Sequence, residues 1–190
     1  MVPDIVNMTP VTGRMIAEGN LVKNIVDETL PGVRVVDADN FVVHLGIAFI
    51  YREVAQLAAG GVMRLLGRVG AKEVHLTDFL IRCDQAPVTI EFFESPTVTA
   101  PGTAGTPIAK NRIVSAIPTT SVFLNPTVTS DGTRLDIDKL LGANKDVGGR
   151  DLHTEWLLKP NTDYIFKITN SSAQIANIVA GFIWSETPVV

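Results

Sequence analysis

The sequence predicts an all-β protein, an antiparallel β-sandwich of the Greek-key jelly-roll kind with an extended N-terminal arm. Three observations carry that prediction. Eight or nine apolar runs of strand length recur at close spacing, punctuated by Gly, Pro, Asn, Asp and Ser. No long helix-forming stretch interrupts them. A strand–corner–turn unit also occurs twice, as Ser95-Pro-Thr-Val-Thr-Ala-Pro-Gly-Thr103 and Asn125-Pro-Thr-Val-Thr-Ser-Asp-Gly-Thr133. Pro96 and Pro126 cannot donate to a ladder, so each marks the end of pairing or an edge. Gly102 and Gly132 stand where a turn needs positive φ.

Taken in order, residues 1–40 are the arm. Turn residues at Thr12-Gly13, Gly19-Asn20, Pro31-Gly32 and Asp39-Asn40 separate apolar pieces too short to bury a face. Residues 41–190 are the sandwich domain. Its best strand is 40–54, where Phe41, Val43, Leu45, Ile47, Phe49 and Tyr51 alternate with Val42, His44, Gly46, Ala48 and Arg52. A loop follows at 56–61. Residues 62–69 suit a strand weakened or bulged at Gly67, or else the one short helix. Strands are expected at 73–83, 88–94, 113–117 and 121–124. Residues 100–106 read as a loop, 135–141 as a strand or helical turn, and 142–151 as a flexible Gly-rich loop. Trp156-Leu157-Leu158, a turn at 159–163, an alternating run at 164–169 and a return at 175–185 form a C-terminal hairpin signal, with Ile178, Phe182 and Trp184 on one face.

Composition sets the outer bounds. A chain of 190 residues is long enough for one self-sufficient core. Charged residues are only 19% against 46% hydrophobic, which predicts an outer surface partly covered by partners. A net charge of −4 argues against a nucleic-acid partner. No apolar run is long enough to span a membrane, and the start lacks the pattern of a secretory signal. Cys83 is the only cysteine and lies in an apolar run, so a small core side chain is the expected role.

Chemistry is thinly represented. His44, His75 and His153 have no ligand spacing, and a satisfied structural histidine is the plainer expectation than a metal ligand. Asp37 with Asp39 and Asp136 with Asp138 bring carboxylates together, but turn-forming Asp explains both without calcium. Ser121 and Ser130 lack a nucleophile-elbow context. No catalytic, cofactor-binding or metal residue is therefore assigned, and the chain is expected not to be an enzyme.

The order of strand, Pro-Thr-Val-Thr-x-x-Gly-Thr, Asn111-Arg112 and a second Pro-Thr-Val-Thr-x-x-Gly-Thr is distinctive. So is Glu155-Trp156-x-Leu158-Lys159-Pro160-Asn161-Thr162 leading to Tyr164 and Ile168-Thr169-Asn170-Ser171. Over 41–186 this order resembles small virion structural proteins of tailed bacteriophages, of the head decoration or cement type. The resemblance implies a β-sandwich or jelly roll that binds and stabilises the outer capsid surface, made in the host cytoplasm. It implies the major capsid protein as partner and a homotrimer as the assembly. Apolar residues on both faces of a strand, such as Val42 and Ile50 opposite the 41–51 face, also predict self-association. The alternative is a receptor- or glycan-binding appendage module using Tyr51, Trp156 and Trp184 as a stacking platform, although packing is the plainer role for both tryptophans.

Overall fold

The computed structural model describes residues 15–17, 20–22, 24–26, 33–35, 42–85, 87–113, 116–141, 147–152 and 155–187. Contacts divide the chain into two compact units, 1–45 and 46–190. In the first, β1 (Met15–Ala17) pairs antiparallel with β2 (Asn20–Val22), and β3 (Asn24–Val26) with β4 (Val33–Val35). The short apolar pieces of the predicted arm are thus strands of three residues each; the remainder of 1–40 lies outside the described residues.

The second unit is an antiparallel β-sandwich. Its strands are β5 (Ala48–Leu57), β6 (Val62–Arg68), β7 (Glu73–Cys83), β8 (Val88–Glu94), β9 (Thr97–Ala100), β10 (Thr103–Ala104) and β11 (Ile108–Ala109). There follow β12 (Ser121–Leu124), β13 (Thr127–Ser130), β14 (Thr133–Leu140), β15 (Val147–Leu152), β16 (Trp156–Leu158), β17 (Asp163–Asn170) and β18 (Ala176–Thr187). One sheet runs β10-β12-β6-β17-β8-β14 and the other β11-β5-β18-β7-β15, with β16 also on β7. The long strands pair in a nested way. β5 pairs with β18, β6 with β17, β7 with β15 and β16, and β8 with β14.

The core follows from alternation. Phe49, Tyr51, Ile178, Ala180, Phe182 and Trp184 on one sheet meet Met63, Leu65, Ile90, Phe92, Phe166 and Ile168 on the other. Phe166 stacks on Phe79 at 4.6 Å, and Phe92 meets Phe79 edge-on at 4.9 Å. In β7 the core face changes parity, from Val74 and Leu76 to Phe79, Ile81 and Cys83. A bulge explains it. Leu76 opposes Trp184 and Asp78 opposes Ile183, so Thr77 is the extra residue, and its hydroxyl donates to the Ile183 carbonyl at 3.1 Å. Gly181 lets β18 approach β5, because a Cβ there would strike the Tyr51 carbonyl oxygen.

Several elements depart from the sequence expectation. The strand expected at 40–54 begins only at Ala48 and continues to Leu57; Val42–His44 is a helical turn and Leu45-Gly46 a turn. Gly46 at φ 73° breaks the extended backbone, so the alternation before it is not that of a strand. Residues 62–68 are strand, not helix, and the ladder passes Gly67 without a register shift, so there is no bulge there. Residues 113 and 116–117 are not strand; β11 provides the pairing instead, at Ile108–Ala109. Two residues of the loop expected at 100–106 form β10, and 147–151 of the expected Gly-rich loop belong to β15. The C-terminal runs do not form a hairpin. β17 and β18 lie in different sheets, because each is already flanked by two other strands.

A small apolar cavity of about 30 Å³ lies beside Gly67, Tyr164 and Phe166, and a Cβ built at Gly67 meets nothing within 4 Å. Gly67→Ala should therefore stabilise the protein by about 0.4–1 kcal/mol, through a stiffer unfolded chain and a better-filled core. A urea melt with an unchanged or lower midpoint would contradict that placement.

Candidate functional site

The two copies of the repeat fold together into a cap on the outer face of the β10–β14 sheet. β9 and β13 pair only with each other, as a separate two-stranded ribbon. Beneath the ribbon, Leu66 of β6, Ile165 of β17 and Phe93 of β8 form a second buried cluster, and Val98, Val128 and Phe123 pack against it. The arrangement has approximate twofold symmetry between β6 and β17. Leu66 is directly opposite Ile165, and Phe93 and Val98 match Phe123 and Val128 at the 30-residue offset.

The backbone repeats the symmetry. Ser95 and Asn125 both adopt positive φ, 56° and 50°, where each copy leaves its sheet. Ser95 N donates to Asp163 O at 2.9 Å, and Asn125 N donates to Arg64 O at 2.7 Å. Gly102 and Gly132, at φ 86° and 95°, turn each copy back. A Cβ on Gly102 would strike the Leu124 carbonyl and Asn125, and one on Gly132 would strike the Glu94 carbonyl and Ser95. Each copy's glycine is thus seated against the other copy's first residue. Cations sit over both aromatic rings as well, Arg68 over Phe123 at 5.8 Å and Lys167 over Phe93 at 5.5 Å.

Charge breaks the symmetry. Asp131 bonds Arg64 at 2.9 Å and Lys167 at 3.0 Å, and Lys167 reaches Glu91 at 3.2 Å. Burial alone would push the Asp131 carboxyl up, but the Arg64 and Lys167 bonds outweigh it and hold the group below its ordinary range. The matching position in the first copy is Pro101, which has no charge to offer.

From β10 the chain makes an excursion to β12 that leaves three isoleucines largely in water. Ile113 is 96% exposed, Ile117 87% and Ile108 52%. With Pro107, Ala116 and Pro118, Ile108 and Ile117 border an open groove, and Arg112 supplies a charge beside it. The far end of the excursion is tied down by Glu186, which is buried at the end of β18. Its carboxylate accepts from Thr119 N and Oγ1, both at 2.8 Å, from Thr120 N at 2.9 Å and from Trp184 Nε1 at 3.3 Å. No motif in the sequence marks Glu186. Its signal is positional: it takes the next inward place after Ile178, Ala180, Phe182 and Trp184.

The residues of the Glu155–Thr162 motif are structural clamps. Lys159 Nζ meets Glu94 at 2.8 Å, the Tyr164 hydroxyl donates to Glu94 at 3.0 Å, and Asn161 turns the chain at φ 54°. Asn170, fully buried, donates to the carbonyls of Leu57, Ala58 and Gln174 and accepts from Ser172.

The other sequence candidates are spread apart. His75 lies between Glu155, 2.6 Å from Nδ1, and Glu73, 3.1 Å from Nε2; the carboxylates hold opposite ring nitrogens and do not converge on one ion. His44 is on the helical turn, so it forms no cross-strand pair with His75, and His153, Asp37 and Asp39 lie outside the described residues. Asp136 and Asp138 accept from the next backbone N–H, of Ile137 and Lys139, each at 2.8 Å. Ser130 Oγ accepts from Gly132 N at 3.2 Å inside the repeat turn, and Ser121 opens β12 on the exposed surface. Cys83 is buried, and burial pushes its thiol up, with Asp84 adding to the effect. Tyr51 and Trp184 are core residues and Trp156 stands edge-on against Phe92, so the three form no exposed stacking platform. Among the described residues no cluster of three His, Cys, Asp or Glu is placed to hold a metal ion. No family model, no curated protein and no solved structure matches the chain.

Two predictions test how this arrangement is held. Gly102→Ala and Gly132→Ala should each destabilise by roughly 1–3 kcal/mol, and by similar amounts, since each strains φ and collides with backbone. A near-neutral result for either in chemical denaturation would show that the cap is not reciprocally seated. For Glu186, burial pushes the carboxyl up, but the hydrogen bonds from Thr119 and Thr120 outweigh it and lower the folded value below 4.5. Its stabilisation is therefore present above the unfolded value and lost as pH falls through the folded one. Glu186→Gln should flatten that acid limb of the stability curve; an unchanged limb would contradict the assignment.

Proposed function

We propose that the protein is a virion structural protein of the head decoration or cement type, bound to the outside of a tailed-phage capsid. Its partners on this reading are the major capsid protein and copies of itself in a homotrimer, and its place is the outer capsid surface. The observation that carries the proposal is the cap-and-excursion surface. The repeat is folded onto the molecule as a cap over Leu66, Phe93 and Ile165, while the neighbouring segment leaves Ile108, Ile113 and Ile117 in water. Apolar surface left exposed beside a rigid scaffold is the property of a docking protein. The nested strand pairing supports reading the sandwich as a jelly roll, the fold that the resemblance implies.

Cement action follows from linkage. A ligand that binds the assembled shell, and not its separated subunits, stabilises the shell by about 2.7 kcal/mol per site at a hundredfold excess over Kd. Purified protein added to capsids that lack it should bind to saturation and raise the temperature at which the heads release DNA. Ile117→Asp should weaken that binding. Heads that bind none of the protein, or that melt unchanged when saturated with it, would remove the proposal.

A further inference from the structure

The excursion between β10 and β12 is fixed near its two ends by sheet pairing. Ile108 and Ala109 ladder with Ile50 and Phe49, and Ser121–Leu124 ladder with Arg68–Leu65. Neither ladder reaches residues 116–120. There Ala116 packs on the core, and Thr119 and Thr120 are bound to the end of β18 by a single side chain. Glu186 is 1% exposed, and its two oxygens divide four donors between them. Oε2 accepts from Thr119 N and Thr119 Oγ1, and Oε1 from Thr120 N and Trp184 Nε1.

Every group that holds this carboxylate is neutral. On β18 it is Trp184. On the β5 side the Ile47 carbonyl accepts from Glu186 N at 3.1 Å, and on β7 the opposite residue is Val74. The turn before β7 brings Gly70 against Thr119. Glu73 and His75 of β7 flank the inward Val74, face outward and meet one another, and Arg68 is paired with Asp163. Lys72 in the turn, like Lys110 and Arg112 in the excursion, contributes nothing to the balance at Glu186, which is set by burial and by the Thr119 and Thr120 donors.

Such a site is sensitive to one proton. An ionised carboxylate is acceptor-only, with room for about four bonds, and all four places are taken. A proton on Oε1 would face two N–H groups that cannot accept it. On Oε2 only Thr119 Oγ1 can receive it, and that hydroxyl then stops donating. The bonds that survive lose their charge assistance, which makes such bonds roughly twice as strong as neutral ones. The ladder position of Glu186 opposite Val74 and its N–H bond to Ile47 make no use of the carboxylate, so the sheet end does not depend on its charge.

We propose that Glu186 is a proton-operated latch on the excursion. Ionised, it fixes Thr119 and Thr120 to the end of the sandwich; protonated, it lets that stretch detach while both sheets stay paired. The donors outweigh burial and hold the folded carboxyl below its ordinary value, so the latch is closed at neutral pH and opens as pH falls through the folded value. Ile117 and Pro118 come directly before the latched pair, so the latch sets how rigidly they are presented. The inference concerns the chain by itself and does not rest on the capsid reading.

Amide hydrogen exchange across the acid range, read by NMR on the full chain and corrected for the intrinsic rate, tests it. Thr119 and Thr120 should exchange roughly tenfold or more faster at the acid end, while the β8 and β17 amides keep their protection. The Trp184 indole N–H resonance should shift over the same pH interval. Glu186→Gln, which keeps the shape and removes the charge, should show the fast exchange already at neutral pH and lose the pH step. Thr119 and Thr120 amides that stay protected until β17 itself opens would overturn the latch. So would a Glu186→Gln chain with native protection at neutral pH. A Glu186→Gln chain without its sheets by circular dichroism would show that the carboxylate holds the whole sandwich, which also overturns it.

Discussion

Leu66 and Ile165 point away from the sandwich core and are nonetheless sealed from water. That constraint organises the rest of the molecule. A sheet with one face on the core normally turns a polar face outward. Here the centre of the outer face is apolar, with Phe93 and Phe123 flanking the central pair. Each such side chain is worth roughly 1.5–3 kcal/mol when buried, so the chain must return to cover them. It does so with the insert between β8 and β14. The ribbon of β9 and β13 turns Val98 and Val128 down and leaves Thr97, Thr99, Thr127 and Thr129 facing solvent. One alternating tetrapeptide, used twice, provides both an inner and an outer surface.

The cap is symmetric in backbone and packing but not in charge, and the difference has a physical consequence. The second copy's turn is fastened by Asp131, which joins Arg64, Lys167 and, through Lys167, Glu91. These side chains are between 14% and 27% exposed, so the network is less screened than a surface pair. The first copy's turn has Pro101 there and depends on a stiff backbone instead. The β13 end of the ribbon is thus anchored electrostatically and the β9 end sterically. Acid weakens only the first anchor, since Asp131 holds its proton off through Arg64 and Lys167 against its own burial.

Much of this fold was legible in the sequence, and the illegible parts share a cause. Strands β7, β8, β12 and β17 lie where the apolar runs place them, and the turn glycines of the repeat have the positive φ their sequence demands. What alternation cannot show is the partner. The runs 164–169 and 175–185 are neighbours in sequence with a turn between them, yet they enter different sheets, because strand order is set by long-range winding. Nor can it show which apolar residue faces which core. Phe93 and Ile165 read as the outward, polar-side places of their strands, and they are buried only because the repeat covers them. The repeat itself was visible as a motif. Its pairing with its own second copy was not, since neither copy is a hairpin alone. Asp136 and Asp138, which read as turn-forming residues in the sequence, instead occupy an edge strand's donors.

The insert between β8 and β14 then explains where the chain keeps its surface chemistry. β8 and β14 are direct partners, with Glu94 opposite Thr133, so the insert starts and ends at adjacent ladder positions. Closing a long loop whose ends are already paired costs little more than closing a short one, as the entropy grows only with the logarithm of length. The sandwich can therefore carry a large excursion without disturbing its core. The Gly132 seat against Ser95 fixes one end and the Glu186 carboxylate fixes the middle through Thr119 and Thr120. Between those anchors Ala109 enters the core and Ala116 packs against it, while Ile113 and Ile117 take no inward place and remain in water. A rigid double-sheet scaffold thus presents one acid-free excursion, in which the sheets hold the core and the insert carries the exposed isoleucines.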